Sequence, residues 1–152
     1  MEDYGGASNA RYKDFRVLVD GSEKRAIAAV HLGGIAVECQ VKSLILLYHG
    51  INNWHEPSKK KKEPGHGTPV KRPSHDIVSA IEKMPDLYNK AKSDAKFLSH
   101  LSNIKYPLGI TGGDFIELRY SELEGECINL PEWEHSLNYV KAWLDKNKVI
   151  TK

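Results

Sequence analysis

Between Glu23 and His49 the chain reads EKRAIAAVHLGGIAVECQVKSLILLYH, a stretch without proline and dense in Ala, Val, Ile and Leu. This spacing predicts one long helix. Apolar residues on most of its circumference place that helix in the interior of a helical protein, where other helices cover it. Gly33-Gly34 in its middle costs roughly 1 kcal/mol per glycine relative to alanine. A sequence that accepts this cost needs another element to approach closely there. Gly50 supplies the usual left-handed stop, and Ser22 is placed to cap the start.

The rest of the chain is read around that helix. Residues 1–8 are polar and glycine-bearing and are expected to fray as a flexible N-terminus. Asn9 to Val19 has helical spacing, with Tyr12, Phe15 and Val19 inward, and Asp20-Gly21-Ser22 breaks it. Ile51 to Pro73 holds four prolines and a lysine run, and reads as a long structureless loop, which in a compact domain is either functional or disordered. Ser74 is expected to cap a third helix, His75 to about Met84. Pro85 suits a first turn or a kink, and Asp86 to Asn103 continues helically with Leu87, Ala91, Phe97, Leu98 and Leu101 inward. Asn129, Pro131 and Glu132 form a capping-box-like start for a last helix, about Pro131 to Lys148. Its inward stripe is Trp133, Leu137, Val140 and Leu144, with Trp143 beside it. No alternating run reaches six residues, so the fold class is all-α. The expected architecture is an antiparallel bundle of four to five helices with a long basic loop after the second helix, as one domain over 9–148 with a tail at 149–152.

Charge separates one segment from the others. Of 22 Lys plus Arg and 20 Asp plus Glu in 152 residues, Pro57 to Pro73 holds Lys59, Lys60, Lys61, Lys62, Lys71 and Arg72 against Glu63 alone. That segment carries +5 and the remainder −3, a pattern unlike the basic face of a general nucleic-acid coat protein. The N-terminus lacks the apolar core of a signal peptide. The longest uninterrupted apolar run, around Ser43 to Tyr48, is short for a bilayer span. The expectation is therefore a cytoplasmic chain with no membrane partner. Cys39 reads as a small buried helix residue. Neither it nor Cys127 has CxxC or CxxH spacing, and His49, His55 and His66 match no metal motif, so no metal and no cofactor are expected. Gly109 to Gly113 lacks the ending of a phosphate loop.

The run Ala28-Ala29-Val30-His31-Leu32-Gly33-Gly34-Ile35-Ala36-Val37-Glu38-Cys39-Gln40-Val41-Lys42-Ser43-Leu44 resembles the central helix of HEPN domains (higher eukaryotes and prokaryotes nucleotide-binding). The Asp20-Gly21-Ser22 turn before it, His75-Asp76-Ile77 at the third helix and Arg119-Tyr120 before the last follow in the family's order. The resemblance implies an all-α fold, a homodimer and a role in a toxin–antitoxin or defence-type system. It implies RNA, a nucleotide or a protein such as a cognate antitoxin or effector as partner. Many members are ribonucleases with an Arg, four to six residues and a His. Here Tyr-Ser-Glu-Leu-Glu-Gly-Glu follows Arg119, and the next histidine is His135. Arg25 and His31 have the spacing inside the central helix, where residues six apart face different ways.

Two readings stand for each candidate. Glu38 and Lys42, four apart in an apolar helix, share a face; they line a polar pocket with His75, Arg119 and Tyr120, or they form a salt-bridged seam. His75 is a general base, a phosphate contact, or a boundary histidine bonded to a carboxylate. Arg119 suits bidentate phosphate binding, or it pairs with Glu38. Lys59 to Lys62 with Lys71 and Arg72 contact a nucleic-acid backbone, with Trp54 stacking on a base, or they form a solvated loop. Trp133, Tyr139 and Trp143 are core or dimer contacts more readily than a stacking surface. The first function class is binding of RNA, a nucleotide or a partner protein. The second is a divergent metal-independent ribonuclease, with Arg119 stabilising the transition state and His75 as base. The third is a structural docking subunit of a larger effector.

Overall fold

The computed structural model describes residues 2–21, 25–60, 66–120 and 128–148. It is all-α: six α-helices, with no strand among the described residues. They are α1 (Tyr4–Asp20), α2 (Ala26–His49), α3 (Ile77–Glu82), α4 (Pro85–Lys92), α5 (Ala95–Lys105) and α6 (Leu130–Asn147). A 3-10 turn at Ile110–Gly112 and a 3-10 helix at Phe115–Tyr120 lie between α5 and α6.

α2 is the hub, packed by α1, α3, α5, α6 and the 3-10 helix. Its two central glycines are the contact points. A methyl group at Gly33 would stand 2.6 Å from the Trp133 ring of α6, and one at Gly34 would overlap the Phe115 ring of the 3-10 helix. The close approach expected from the sequence is therefore made twice, by two partners. Gly50 ends α2 at φ 63° and returns its N–H to the Leu46 and Leu47 carbonyls. Ser22, the expected cap at the other end, lies outside the described residues. By length and mean hydropathy α2 would also suffice to cross a membrane. Here Val30, Val37, Val41 and Ile45 are fully buried against its neighbours.

Four expectations are corrected. α1 begins at Tyr4, ahead of the expected Asn9, because Asp3 caps it by accepting from Gly6 N–H at 2.8 Å. Tyr4 and Ser8 are buried, and the Ser8 hydroxyl donates to the Ala36 carbonyl at 2.6 Å, so this segment is docked on α2. α3 is capped by Asp76, whose carboxylate accepts from Val78 and Ser79 N–H, and His75 therefore precedes the helix. The long helix expected from Asp86 breaks at Ser93-Asp94, where Asp94 caps α5 through Phe97 N–H at 3.0 Å; local side-chain caps of this kind compete with helix continuation. Leu98 is consequently turned outward, 39% exposed. Cys39 is half-buried rather than buried.

The largest correction concerns Ile51 to Pro73. Its two limbs pair with each other: His55 N–H donates to the Val70 carbonyl at 2.7 Å and Val70 N–H to Glu56 at 2.9 Å. Ser58 N–H bonds Thr68, and Gly67 N–H returns to Ser58. Lys59 N–H ties the first limb to the His49 carbonyl at 2.8 Å. The His49 ring, buried at the end of α2, donates from Nε2 to the Lys83 carbonyl at 2.7 Å and accepts the Ser58 hydroxyl at Nδ1, also at 2.7 Å. Ile51, Ser58, Val70 and Pro73 are buried. The segment is an arch riveted to the ends of α2 and α3. Proline removes ladder donors at Pro57 and Pro69, where the two limbs meet, and so limits the pairing to an isolated bridge.

Candidate functional site

Glu38 and Lys42 lie one turn apart on α2 and are both 4% exposed. Lys42 Nζ donates to Glu38 Oε1 at 2.6 Å. An unpaired charge at this depth would be costly, and the helical spacing of four puts its partner within reach. Lys42 also stands 5.7 Å from the centroid of the Tyr4 ring. Glu38 Oε1 takes a second bond, from His75 Nδ1 at 2.9 Å. Glu38 Oε2 is buried and has no hydrogen-bond partner among the described residues.

A carboxylate can only accept, so His75 Nδ1 carries the proton of this bond. The other ring nitrogen, Nε2, is then an acceptor. The His75 side chain is 58% exposed. The arrangement is a buried carboxylate that fixes the tautomer and direction of an imidazole at the surface. It is the orienting half of an acid–base pair. Neighbouring charges extend it. Asp76 accepts from Lys105 Nζ at 3.0 Å. Burial alone would raise the Asp76 carboxyl, but the Lys105 ammonium and Ser79 hold it below the usual range. Burial would likewise lower Lys105, yet Asp76 and Tyr106 push it up. Across from them, burial pushes the Asp114 carboxyl up against the pull of Ile116 N–H and Lys105.

Three of the residues singled out from the sequence thus meet: Glu38, Lys42 and His75. Arg119 and Tyr120 end the 3-10 helix by their backbone, but their side chains lie outside those described. Lys59, Lys60, Lys71 and Arg72 stand on the arch; Lys61 and Lys62 lie outside the described residues, as does Cys127. Lys59, Lys71 and Arg72 are exposed, Lys60 Nζ lies 4.2 Å above the Tyr48 ring, and Arg72 reaches Glu2 at 3.4 Å. Among the described residues no group of three or more His, Cys, Asp or Glu could hold a metal ion. Trp133 and Trp143 are buried in the core, where Trp143 stacks on Phe97 at 3.8 Å and donates to Asp94.

Sequence reasoning missed Lys105, Asp114 and the His49–Ser58 rivet. Lys105 and Asp114 come from α5 and the loop after it, and only the tertiary packing brings them beside Asp76. The rivet had a faint signal, since a histidine closing an apolar helix needs an acceptor for its ring N–H. No protein-family model, curated protein or solved structure matches the chain.

Proposed function

We propose that this chain is a HEPN-like helical protein that binds RNA through the arch. The observation that carries the reading is the pinning of the arch. A flexible solvated loop needs neither paired limbs nor a buried histidine rivet. A backbone-binding surface gains from both, because fixed cations lose less freedom when they meet phosphates. Lys59, Lys71 and Arg72 are exposed on that frame, and the charge asymmetry of the sequence, +5 on the segment against −3 elsewhere, suits an anionic partner. In this reading the helices form an antiparallel bundle around α2. The test is RNA affinity against salt for the chain and for a variant with Ser at Lys59 to Lys62.

The Glu38–His75 pair favours a second reading, a metal-independent ribonuclease. His75 Nε2 would take the proton from a ribose 2′-hydroxyl while Glu38 holds the ring, with Arg119 stabilising charge on the phosphate. Incubating labelled RNA with the protein and chelator tests this reading. It predicts cleavage that survives the chelator and falls at least a hundredfold in His75→Asn. Intact RNA in both incubations would leave binding alone.

A homodimer accompanies the reading. The tryptophans expected to offer a dimer face are buried, which leaves the outward stripe of α2, Leu32, Ile35, Cys39 and Leu46, half-buried in one copy. Light scattering at micromolar concentration should give about twice the 17.1 kDa of one chain; a mass near one chain would remove the dimer.

A further inference from the structure

A cavity of about 450 Å³ opens where α1, the end of α2 and the first limb of the arch meet. Its lining is Glu2, Tyr4, Leu46, Asn52, Asn53 and Trp54. The aromatic wall is rigid. Trp54 Nε1 donates to the Tyr4 hydroxyl at 2.8 Å, and the two rings lie 5.7 Å apart with planes tilted by 58°. Trp54 is half-buried, and Tyr4 is 8% exposed.

The polar wall is equally organised. The Glu56 carboxylate accepts from Asn53 N–H and Asn53 Nδ2, each at 3.0 Å, and reaches Asn52 N–H at 3.5 Å. This knot consumes the Asn53 amide donor and fixes the backbone at Asn52. His55 sits at φ 72°, a left-handed turn that a side chain rarely adopts, and it directs the chain from Trp54 into the arch. The exposed Asn52 amide carries a donor and an acceptor side by side. Glu2, on the rim, holds the Arg72 guanidinium of the arch at 3.4 Å. An aromatic plane, an amide edge and a cation at the rim thus surround one volume.

We propose that this cavity takes one unpaired base of a single-stranded RNA, stacked against Trp54 and read at its edge by the Asn52 amide, while the attached phosphate meets Arg72. The inference rests on the RNA reading of the arch and names the form of RNA it favours. An aromatic ring stacks on any base, so the cavity selects single strand over duplex more than it selects sequence. A side-chain amide can pair with a base edge through both its groups. Duplex RNA keeps its bases stacked within the helix and offers the arch its backbone alone.

Tryptophan fluorescence tests this on the full chain. Trp133 and Trp143 are buried in the core, and Trp54→Phe identifies the signal that belongs to the cavity. The probes are a single-stranded oligoadenylate pentamer, a blunt RNA duplex and adenosine monophosphate. The pentamer should quench Trp54 and the duplex should bind without quenching. Asn52→Ala, an exposed change that leaves the melting temperature in place, should weaken pentamer binding about tenfold and leave duplex binding unchanged, the scale of one amide–base pairing. Pentamer binding without quenching, or with full affinity in Asn52→Ala, overturns the inference while the arch reading stands. Quenching by the mononucleotide, with no salt-dependent binding of either RNA, would support the cavity and remove the arch reading. No quenching by any of the three overturns the inference.

Discussion

At the scale of single residues, the chain concentrates its polar commitments in few places. Glu38 and Lys42 sit inside the apolar helix at a depth where each depends on the other. Breaking such a pair from one side strands a charge, at a cost of roughly 3–5 kcal/mol. Glu38→Ala should therefore lower the melting temperature by about 10 °C, using the 2–4 °C per kcal/mol typical of a chain this size. Glu38→Leu with Lys42→Met should recover most of that loss, because a well-packed apolar pair replaces a buried ion pair at little cost. A thermal melt of both variants is the check; a shift under about 2 °C in Glu38→Ala would mean that solvent reaches the pair. The pair was legible from the sequence because two opposite charges four apart in an apolar helix have few other places to go. His75 was legible as a candidate, but its bond to Glu38 was not. That bond depends on Asp76, and not Ser74, starting α3, which leaves His75 on the extended approach beside α2. Two cap-forming residues two apart look alike in sequence, and the packing of Ile77 into the core chooses between them.

At the scale of elements, α2 and its glycines carry the architecture. Gly34→Ala would push a methyl group into the Phe115 ring, and Gly33→Ala would meet Trp133 and Leu137. Overpacking of this kind costs typically 1–3 kcal/mol, partly offset by the better helix propensity of alanine. Denaturant titration of Gly34→Ala should show a net loss of about 1 kcal/mol or more, and the Asp114–Tyr120 segment should become easier to cleave. A stabilised protein would mean that the close approach is not what the glycine serves. The long helix, its glycine stop and the Asn129 cap of α6 were readable because each is a local signal. α1 was read five residues short because its first turn is polar in composition yet docks through Tyr4 and Ser8. The break at Ser93-Asp94 was hidden because the apolar period runs on through it: Leu87, Ala91, Phe97 and Leu101 are all buried. The arch was the deepest miss. Its prolines and lysines have the composition of an open loop, while its order comes from non-local bonds between limbs about a dozen residues apart and from His49.

At the scale of the whole molecule, the chain is an all-α body whose core charges are neutralised in pairs and whose surplus of positive charge stands on one pinned segment. The buried Glu38 holds His75 on the surface beside Asp76, and the arch approaches through Lys71 and Arg72, which precede Pro73 and His75 in sequence. Binding and acid–base groups therefore share one side of the chain's order, as a single ligand strand would require. The most direct measurement is the affinity for a single-stranded RNA titrated with salt, for the protein and for the variant with Ser at Lys59 to Lys62. Log affinity should fall linearly with log salt. The variant should bind more weakly, with its slope reduced by about 0.7 for each phosphate that is no longer neutralised. It should melt at the same temperature, because exposed charges add little to stability. Equal affinity and equal slope for the two proteins across the titration would contradict the account.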